Sequence, residues 1–563
     1  MKKGVAKQNE PVESSFFDQY SNIIFWVLMA VTTVVSLLLF NFRIDEGGDD
    51  STYICRAIDL LKEGRYPSYQ GPLYPMFLSL VIALFGTKLS MLKFTSLLFI
   101  IAGQIAFYRT LKGRIGIRLL LSVLLLLSVN SWYLFFASQT YNEALFILLQ
   151  YLLMGAVIRF ESKDLPTLKS GLAASLPSGL LTVACLLTRS IGWGLCMVNV
   201  AYLCVRRQYR KALTYVASVA VLFGVFQGVK ALIWGDVKEQ SQLATLLQVD
   251  PYDPADGQET VGGFAKRFID NSQLYVSKHF MRIVGFKDPN NRETSAPVTV
   301  LVYLLFGYGC YCAFRRNKYL LYMALSSAMM LGMTFVILQP IWDQQRLIMP
   351  YVPMAMVVML FGARCLFNLL SKKVSLYLCG ALVGIVTLTS FSQTREKVDL
   401  VTLRQNFKGD VYYGYTPDWV NYLSMCEYAA GNLPEGSYVA CRKPNMARIY
   451  GNGQKFYGIY TIPSEDPDEL MQQLRDRNVT HIILASLRRD PLINDGQVIN
   501  TIHRYMNFVV KKYPAAFLLR YQLGDDKNEP AYLFEIDYNY IDKMKAAETA
   551  SEGIQNTEDE KVD

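Results

Sequence analysis

The sequence predicts a polytopic α-helical membrane protein, with about eleven transmembrane helices followed by a C-terminal α/β soluble domain. Three observations predict it. Apolar residues come in long blocks, such as Ile23 to Phe40 and Leu119 to Val129, and blocks near ~20 residues are what a ~30 Å hydrocarbon core requires. Lys and Arg gather in alternate loops between those blocks. After Phe391 the chain changes to short apolar runs separated by polar stretches.

Taken in order, spans are expected over 22–41, 89–108, 116–132, 139–158, 172–188, 190–205, 212–234, 298–314, 319–338, 348–370 and 374–391. The basic start Met1-Lys-Lys is followed by a polar stretch, so it does not read as a cleaved signal. Segment 72–86 is also apolar, but at ~1.5 Å per residue it covers only roughly 20 Å. It is read as an interfacial helix, with Pro72 in its first turn and Gly86 closing it.

With that choice the basic clusters fall on one side, assigned as cytoplasmic. They are Lys2, Lys3 and Lys7; Arg109, Lys112, Arg114 and Arg118; Arg159, Lys163 and Lys169; Arg206, Arg207, Arg210 and Lys211; Arg315, Arg316 and Lys318; and Lys372 and Lys373. The outer side receives the 42–88 loop, the long 235–297 loop, the 339–347 turn and everything after 391. A multi-pass cell-membrane protein of bacterial inner-membrane type is expected, with its N-terminus cytoplasmic and its C-terminal domain extracytoplasmic. The net charge of +9 is carried largely by these clusters, so it points to membrane lipids and not to nucleic acid.

The expected organisation is a transmembrane domain over 1–391, an extracytoplasmic α/β domain over 392–540 and a disordered tail over 541–563. Strands are predicted at Ser437–Cys441, Thr480–Ala485 and Ala531–Ile536, with a helix at Pro467–Arg475 between them. This segment has no Gly-x-Gly-x-x-Gly, P-loop or nucleophile elbow, so it reads as a lid or acceptor-docking domain and not as a second enzyme. The ten cysteines lie mostly in spans, no Cys-x-x-Cys occurs, and three histidines are present, which argues against a zinc-finger type of site. Cys426 and Cys441 lie outside the spans, and their pairing is not legible from sequence.

The chemistry-bearing residues lie on the outer side. Asp49-Asp50-Ser-Thr-Tyr53 opens a predicted helix over 51–63 that Gly64 stops. Ile54, Ile58 and Leu61 mark its apolar face, while Asp49, Tyr53 and Arg56 lie along another line. An aspartate here also reads as an N-cap. Asp45-Glu46, before Gly47-Gly48, reads as a solvated loop. Glu143 is expected at the outer mouth of the fourth span, where an ionisable group needs a partner or water. Arg189 sits in a tight outer turn, and Arg346 precedes Pro350 and Pro353 at the start of a span. Two acids and several arginines on one membrane face suit a base and an anionic lipid headgroup. In loop 235–297, Gly262-Gly263, Lys266, Arg267, Lys278 and Arg282 read either as a flap over the donor or as a solvated loop.

These motifs resemble those of the GT-C membrane glycosyltransferases that use polyprenyl-phosphate sugars, the protein O-mannosyltransferase and lipid A aminoarabinose transferase group. The resemblance rests on Asp49-Asp50-Ser-Thr-Tyr53, the helix ending at Gly64, Gly71-Pro72, Leu84-Phe85-Gly86, Glu143-Ala-Leu-Phe146, Thr188-Arg189, and Arg346 to Pro353. It covers roughly residues 20–391. Asp50 stands where that family has Glu, Thr52 where the aminoarabinose group has a basic residue, and Gln70 near the place of that group's lysine.

The resemblance implies an inverting transfer of a sugar from polyprenyl phosphate to an acceptor hydroxyl on a glycan, lipid or protein. Asp49 and Glu143 are then the catalytic acids, with Asp49 as base. Asp50, Tyr53, Arg56, Arg189 and Arg346 bind substrate, and Asp49 and Glu143 are the tentative ligands of a divalent cation, Mg or Mn. The alternative is a transporter or flippase of lipid-linked sugars, which would place ionisable groups near mid-membrane and repeat one half in the other. Neither sign is visible in the sequence.

Overall fold

A computed structural model describes residues 16–68, 71–165, 167–235, 237, 246–250, 257–288, 290–488, 496–525 and 529–559. Lys2, Lys3, Lys7, Gln70 and residues 560–563 therefore lie outside the described residues. Among the described residues, eight helices are long and apolar enough to cross a membrane, or nine with one bent pair. The protein is a multi-pass membrane protein.

The expected span 116–132 is that bent pair, Ile117–Ser128 and Ser131–Ser138, inclined by 66°. Asn130 makes the break. Its side chain accepts the Tyr133 amide at 3.0 Å, restarting the helix, and donates to the Ile283 carbonyl at 2.6 Å. The expected spans 190–205 and 348–370 are the shorter helices Gly192–Val205 and Val352–Phe367. Segment 72–86 forms the helix Leu73–Phe85, capped by Pro72 and by Gly86 at φ 69°. Tyr74, Leu78 and Ile82 are buried while Leu80, Leu84 and Phe85 are exposed, which leaves an apolar outer face.

Two compact units divide the chain. The first holds residues up to Asn41 together with Ala57–Leu403; the second holds Phe42–Arg56 together with Arg404 onward. The boundary expected at 391 thus lies further on, because the last long helix runs over Lys372–Lys397. The acid-bearing segment also groups with the C-terminal residues.

Within the first unit, Leu168–Thr188 packs on Tyr209–Trp234 through small residues. A Cβ on Gly179 would lie 2.6 Å from Ser218 Oγ, and one on Gly171 3.0 Å from a Thr214 methyl. A buried polar chain crosses this bundle. Thr182 and Tyr215 hydroxyls meet at 2.6 Å, Asn199 donates to Tyr215 at 2.8 Å, and Tyr322 donates to Asn199 at 2.8 Å. Where no water competes, each such group needs a partner, so the chain ties four helices in one arrangement.

The second unit carries a five-stranded sheet in the order β2-β1-β3-β5-β4, with β1 Val439–Cys441, β2 Tyr457–Gly458, β3 His481–Ala485, β4 Phe517–Leu523 and β5 Ala531–Ile536. β1 is parallel to β2 and β3, while β5 is antiparallel to β3 and β4. Helices Pro467–Asp476 and Thr501–Lys512 pack Leu470, Leu474, Ile502 and Val509 against Ile482. The disordered tail expected from 541 is instead a helix over Tyr538–Asp559. Tyr538, Ile541 and Met544 at three-residue spacing extend its apolar face onto the core, and Lys545 pairs with Asp468 at 2.7 Å. All ten cysteines are free, with Cys426 and Cys441 both buried.

Candidate active site

The helix predicted over 51–63 begins two residues earlier, at Asp49, and runs to Glu63. Gly48 at φ 88° makes the entry, a conformation that favours glycine. Asp49 is half-buried on the first turn of the helix. Its neighbour differs. Asp50 is fully buried, and its two carboxylate oxygens accept the Asp45 amide at 2.8 Å and the Ser51 amide at 2.7 Å. Asp50 was expected to bind substrate; these two bonds also make it the clasp of the turn. Tyr53, also expected at substrate, is buried at 4% exposure, and Arg56 is half-buried on the same helix.

The Asp45-Glu46 pair, expected as solvated loop, is part of this turn and is half-buried. Residues of the same unit hold it from the other side. Lys443 Nζ donates to the Glu46 carbonyl at 2.9 Å, and Tyr415 donates to the Ile44 carbonyl at 2.7 Å. Asn445 donates to Thr52 Oγ1 at 2.9 Å, Asn406 accepts the Phe42 amide at 3.3 Å, and Arg43 donates to the Gly414 carbonyl. Sequence reasoning missed all of these C-terminal partners, which lie nearly four hundred residues from the motif.

The first unit collects a second group of charges. Glu143, 2% exposed, pairs with Arg189 at 3.0 Å. Gly71 reaches the same turn: a Cβ there would lie 2.5 Å from the Thr188 carbonyl oxygen, which also accepts from Asn142 at 3.0 Å. The Gly71-Pro72, Glu143 and Thr188-Arg189 motifs are thus brought together. Arg346 lies over the Tyr141 ring, 5.0 Å from its centroid, and donates to Gln344 at 2.7 Å.

Of the long-loop residues, Arg267 donates to the Leu246 carbonyl and pairs with Glu259 at 2.9 Å, a structural role. Lys278 and His279 meet Asp343 at 2.5 and 2.6 Å. They stand on a π-helix, Gln273–Phe280, with the buried Arg282 just beyond it. Burial works to raise the Asp343 pKa, but the hydrogen bonds from His279 and Lys278 prevail and hold it at about 2. Burial pushes His279 below its usual range. Asp343 and His279 were not singled out from sequence, although Asp343 sits three residues before Arg346.

An apolar cavity of about 240 Å³ adjoins this π-helix and is lined by Tyr275, Phe280, Phe306, Phe335, Ile348 and Met359, among others. Tyr275 stacks on Phe335 at 5.9 Å and contacts His279 at 5.3 Å, so one aromatic column runs from cavity wall to charged cluster. Among the described residues no three His, Cys, Asp or Glu side chains group as metal ligands. A guanidinium already lies 3.0 Å from Glu143 Oε1, which opposes a second cation at that oxygen.

No family model and no curated protein matches this chain. Solved structures do. ArnT from Cupriavidus metallidurans in the apo state superposes with a TM-score of 0.53 at 10% identity, covering 92% of this chain and 99% of that one. The two chains share a fold. The arabinofuranosyltransferase AftD from Mycobacteria is also similar, with a TM-score of 0.44 and 13% identity, covering 91% of this chain and 41% of AftD. Within this fold the first-loop acids lie on Asp49–Glu63, and Glu143 lies in the first turn of Asn142–Ser162.

Proposed function

We propose that the protein is an inverting glycosyltransferase that moves a sugar from a polyprenyl-phosphate donor to an acceptor hydroxyl outside the cytoplasm. The observation that carries this reading is the pairing of an apolar cavity with a charged, hydrogen-bonded cluster on one helix. Tyr275 and Phe280 line the cavity, while Lys278 and His279 on the same π-helix meet Asp343. A lipid phosphate has that duality, an apolar chain ending in a compact anion.

In the reaction, the acceptor hydroxyl oxygen forms a bond to the anomeric carbon as the bond from that carbon to the phosphate oxygen breaks. The hydroxyl proton passes to Asp49, and polyprenyl phosphate leaves with the bonding electrons. Lys278, Arg282 and Arg346 stabilise the developing phosphate charge. Glu143, fixed by Arg189, orients the acceptor. The scheme needs no divalent cation, and the acceptor class remains a glycan, lipid or protein hydroxyl.

Purified Asp49→Asn assayed for sugar release from polyprenyl-phosphate donors is the test, with a loss of about 10²–10⁴-fold expected. Undiminished release removes Asp49 as base. A wild type that moves such donors across vesicle bilayers without releasing sugar favours transport.

A further inference from the structure

We propose that Lys443, in the C-terminal α/β domain, is a positioning residue that clamps the Glu46–Asp50 turn and so directs the Asp49 carboxylate. The inference rests on Asp49 as base and gives the C-terminal domain a part in the reaction centre.

The ammonium of Lys443 donates to the Glu46 carbonyl at 2.9 Å and to the Gly47 carbonyl at 3.4 Å. These two carbonyls directly precede the helix that Asp49 opens. Gly48, at φ 88°, turns the chain between these carbonyls and Asp49, a conformation that favours glycine. The lysine is itself held, since its amide donates to the Tyr422 hydroxyl at 3.0 Å. Two residues on, Asn445 donates to Thr52 Oγ1 at 2.9 Å, and its carbonyl accepts from Cys55 Sγ at 3.4 Å. Residues 443–445 therefore hold the entry and the first two turns of the acid helix at four atoms, with Lys443 at the end nearest Asp49.

The charges around Lys443 explain why a lysine serves there. Asp45, Glu46 and Asp49 face it from the acid segment and Arg442 from its own; Tyr422 and the Trp419 ring, 6.0 Å away, face it from Pro417–Asn432. Burial and Arg442 push the ammonium down to about 8, against the pull of the three acids. Below that pH the ammonium holds the two carbonyls that lead into the helix Asp49 opens. Above it the ammonium becomes an amine, its grip on the two carbonyls weakens, and the turn loosens.

The test uses the full chain in detergent micelles as wild type, Lys443→Met and Lys443→Arg. Amide hydrogen exchange over residues 45–52 at pH 7 is expected to be about tenfold faster in Lys443→Met and near wild type in Lys443→Arg. In transfer assays Lys443→Met should lower kcat by about tenfold with donor KM within about twofold, and Lys443→Arg should restore most of it. Wild-type kcat should fall above pH 8, and Lys443→Arg should not, because a guanidinium stays charged. Unchanged exchange in Lys443→Met overturns the clamp. Faster exchange with unaltered kcat and pH profile overturns the positioning role. If wild type releases sugar from no polyprenyl-phosphate donor, the glycosyltransferase reading falls, and the exchange result alone decides the clamp.

Discussion

Glu143 Oε1 lies 3.0 Å from Arg189 Nη1, with the carboxylate 2% and the guanidinium 16% exposed. The other carboxylate oxygen, Oε2, is buried without a hydrogen-bond partner among the described residues. A buried acid with one oxygen neutralised and one open is suited to receive a hydroxyl proton donor.

Arg189→Met should therefore be the harsher change. Leaving Glu143 buried and unpaired costs about 3–5 kcal/mol, whereas Glu143→Gln keeps an acceptor and costs less. Thermal unfolding in detergent of the two single variants and the double variant measures this. Strictly additive losses would show that the pair is not coupled.

Asp50→Ala should destabilise without altering substrate recognition. Removing the carboxylate leaves the Asp45 and Ser51 amides without their acceptor, a loss of about 1–3 kcal/mol. The melting temperature should drop while donor KM holds. A raised KM at unchanged stability would return Asp50 to substrate binding.

Stability should weaken as pH falls through the histidine range. Burial lowers the folded-state pKa of His279, so the unfolded chain takes up its proton first, near ~6.5, and stability declines below that pH. Asp343 acts lower: its contribution is complete above ~3.9 and is lost as pH falls toward about 2. His279→Gln should flatten the slope of melting temperature between about pH 7 and 5. Some slope persists, because burial also lowers His481 and His503. An unaltered slope refutes the assignment to His279.

Gly71→Ala should damage the site while changing few contacts elsewhere. Gly71 sits at φ 88°, and a Cβ there would lie 2.5 Å from the Thr188 carbonyl oxygen and 2.7 Å from that of Leu187. An added methyl must displace that turn, at a cost of about 1–3 kcal/mol. Lower kcat accompanying the loss is expected, since the next residue is Arg189. Gly86→Ala serves as control, because it has a similar φ and nothing within 4 Å.

Chelation should leave transfer within about twofold, because the Glu143–Arg189 pair neutralises the acid a cation would need. Turnover abolished by EDTA and restored by Mg or Mn would put the metal back on Asp49 and Glu143.

The membrane half was legible because hydrocarbon imposes a length and a polarity that any block of residues must meet. The same logic reads Leu73–Phe85, only 13 residues long, as an interfacial helix. Loop charges were harder to place. Arg189 and Glu143 were found individually, but Lys278, His279 and Asp343 meet across more than sixty residues, and nothing local marks such a pairing. The identity of the buried acid was missed for a similar reason. Asp49 and Asp50 look alike in sequence, and only the path of the backbone decides that Asp50 turns inward to two amides. The tail was misjudged because Ile541 and Met544 are few among many charges, yet their spacing suffices beside a ready core.

The grouping of Phe42–Arg56 with residues from Arg404 onward bears on how the protein is made. A ribosome delivers the acid motif early, directly after the first span, but Tyr415, Lys443 and Asn445 emerge several hundred residues later. Until they do, the motif lacks the donors that shape it. A nascent or prematurely terminated chain is thus inserted in the membrane with this turn still unshaped, and the motif takes its final form only once the C-terminal residues are made.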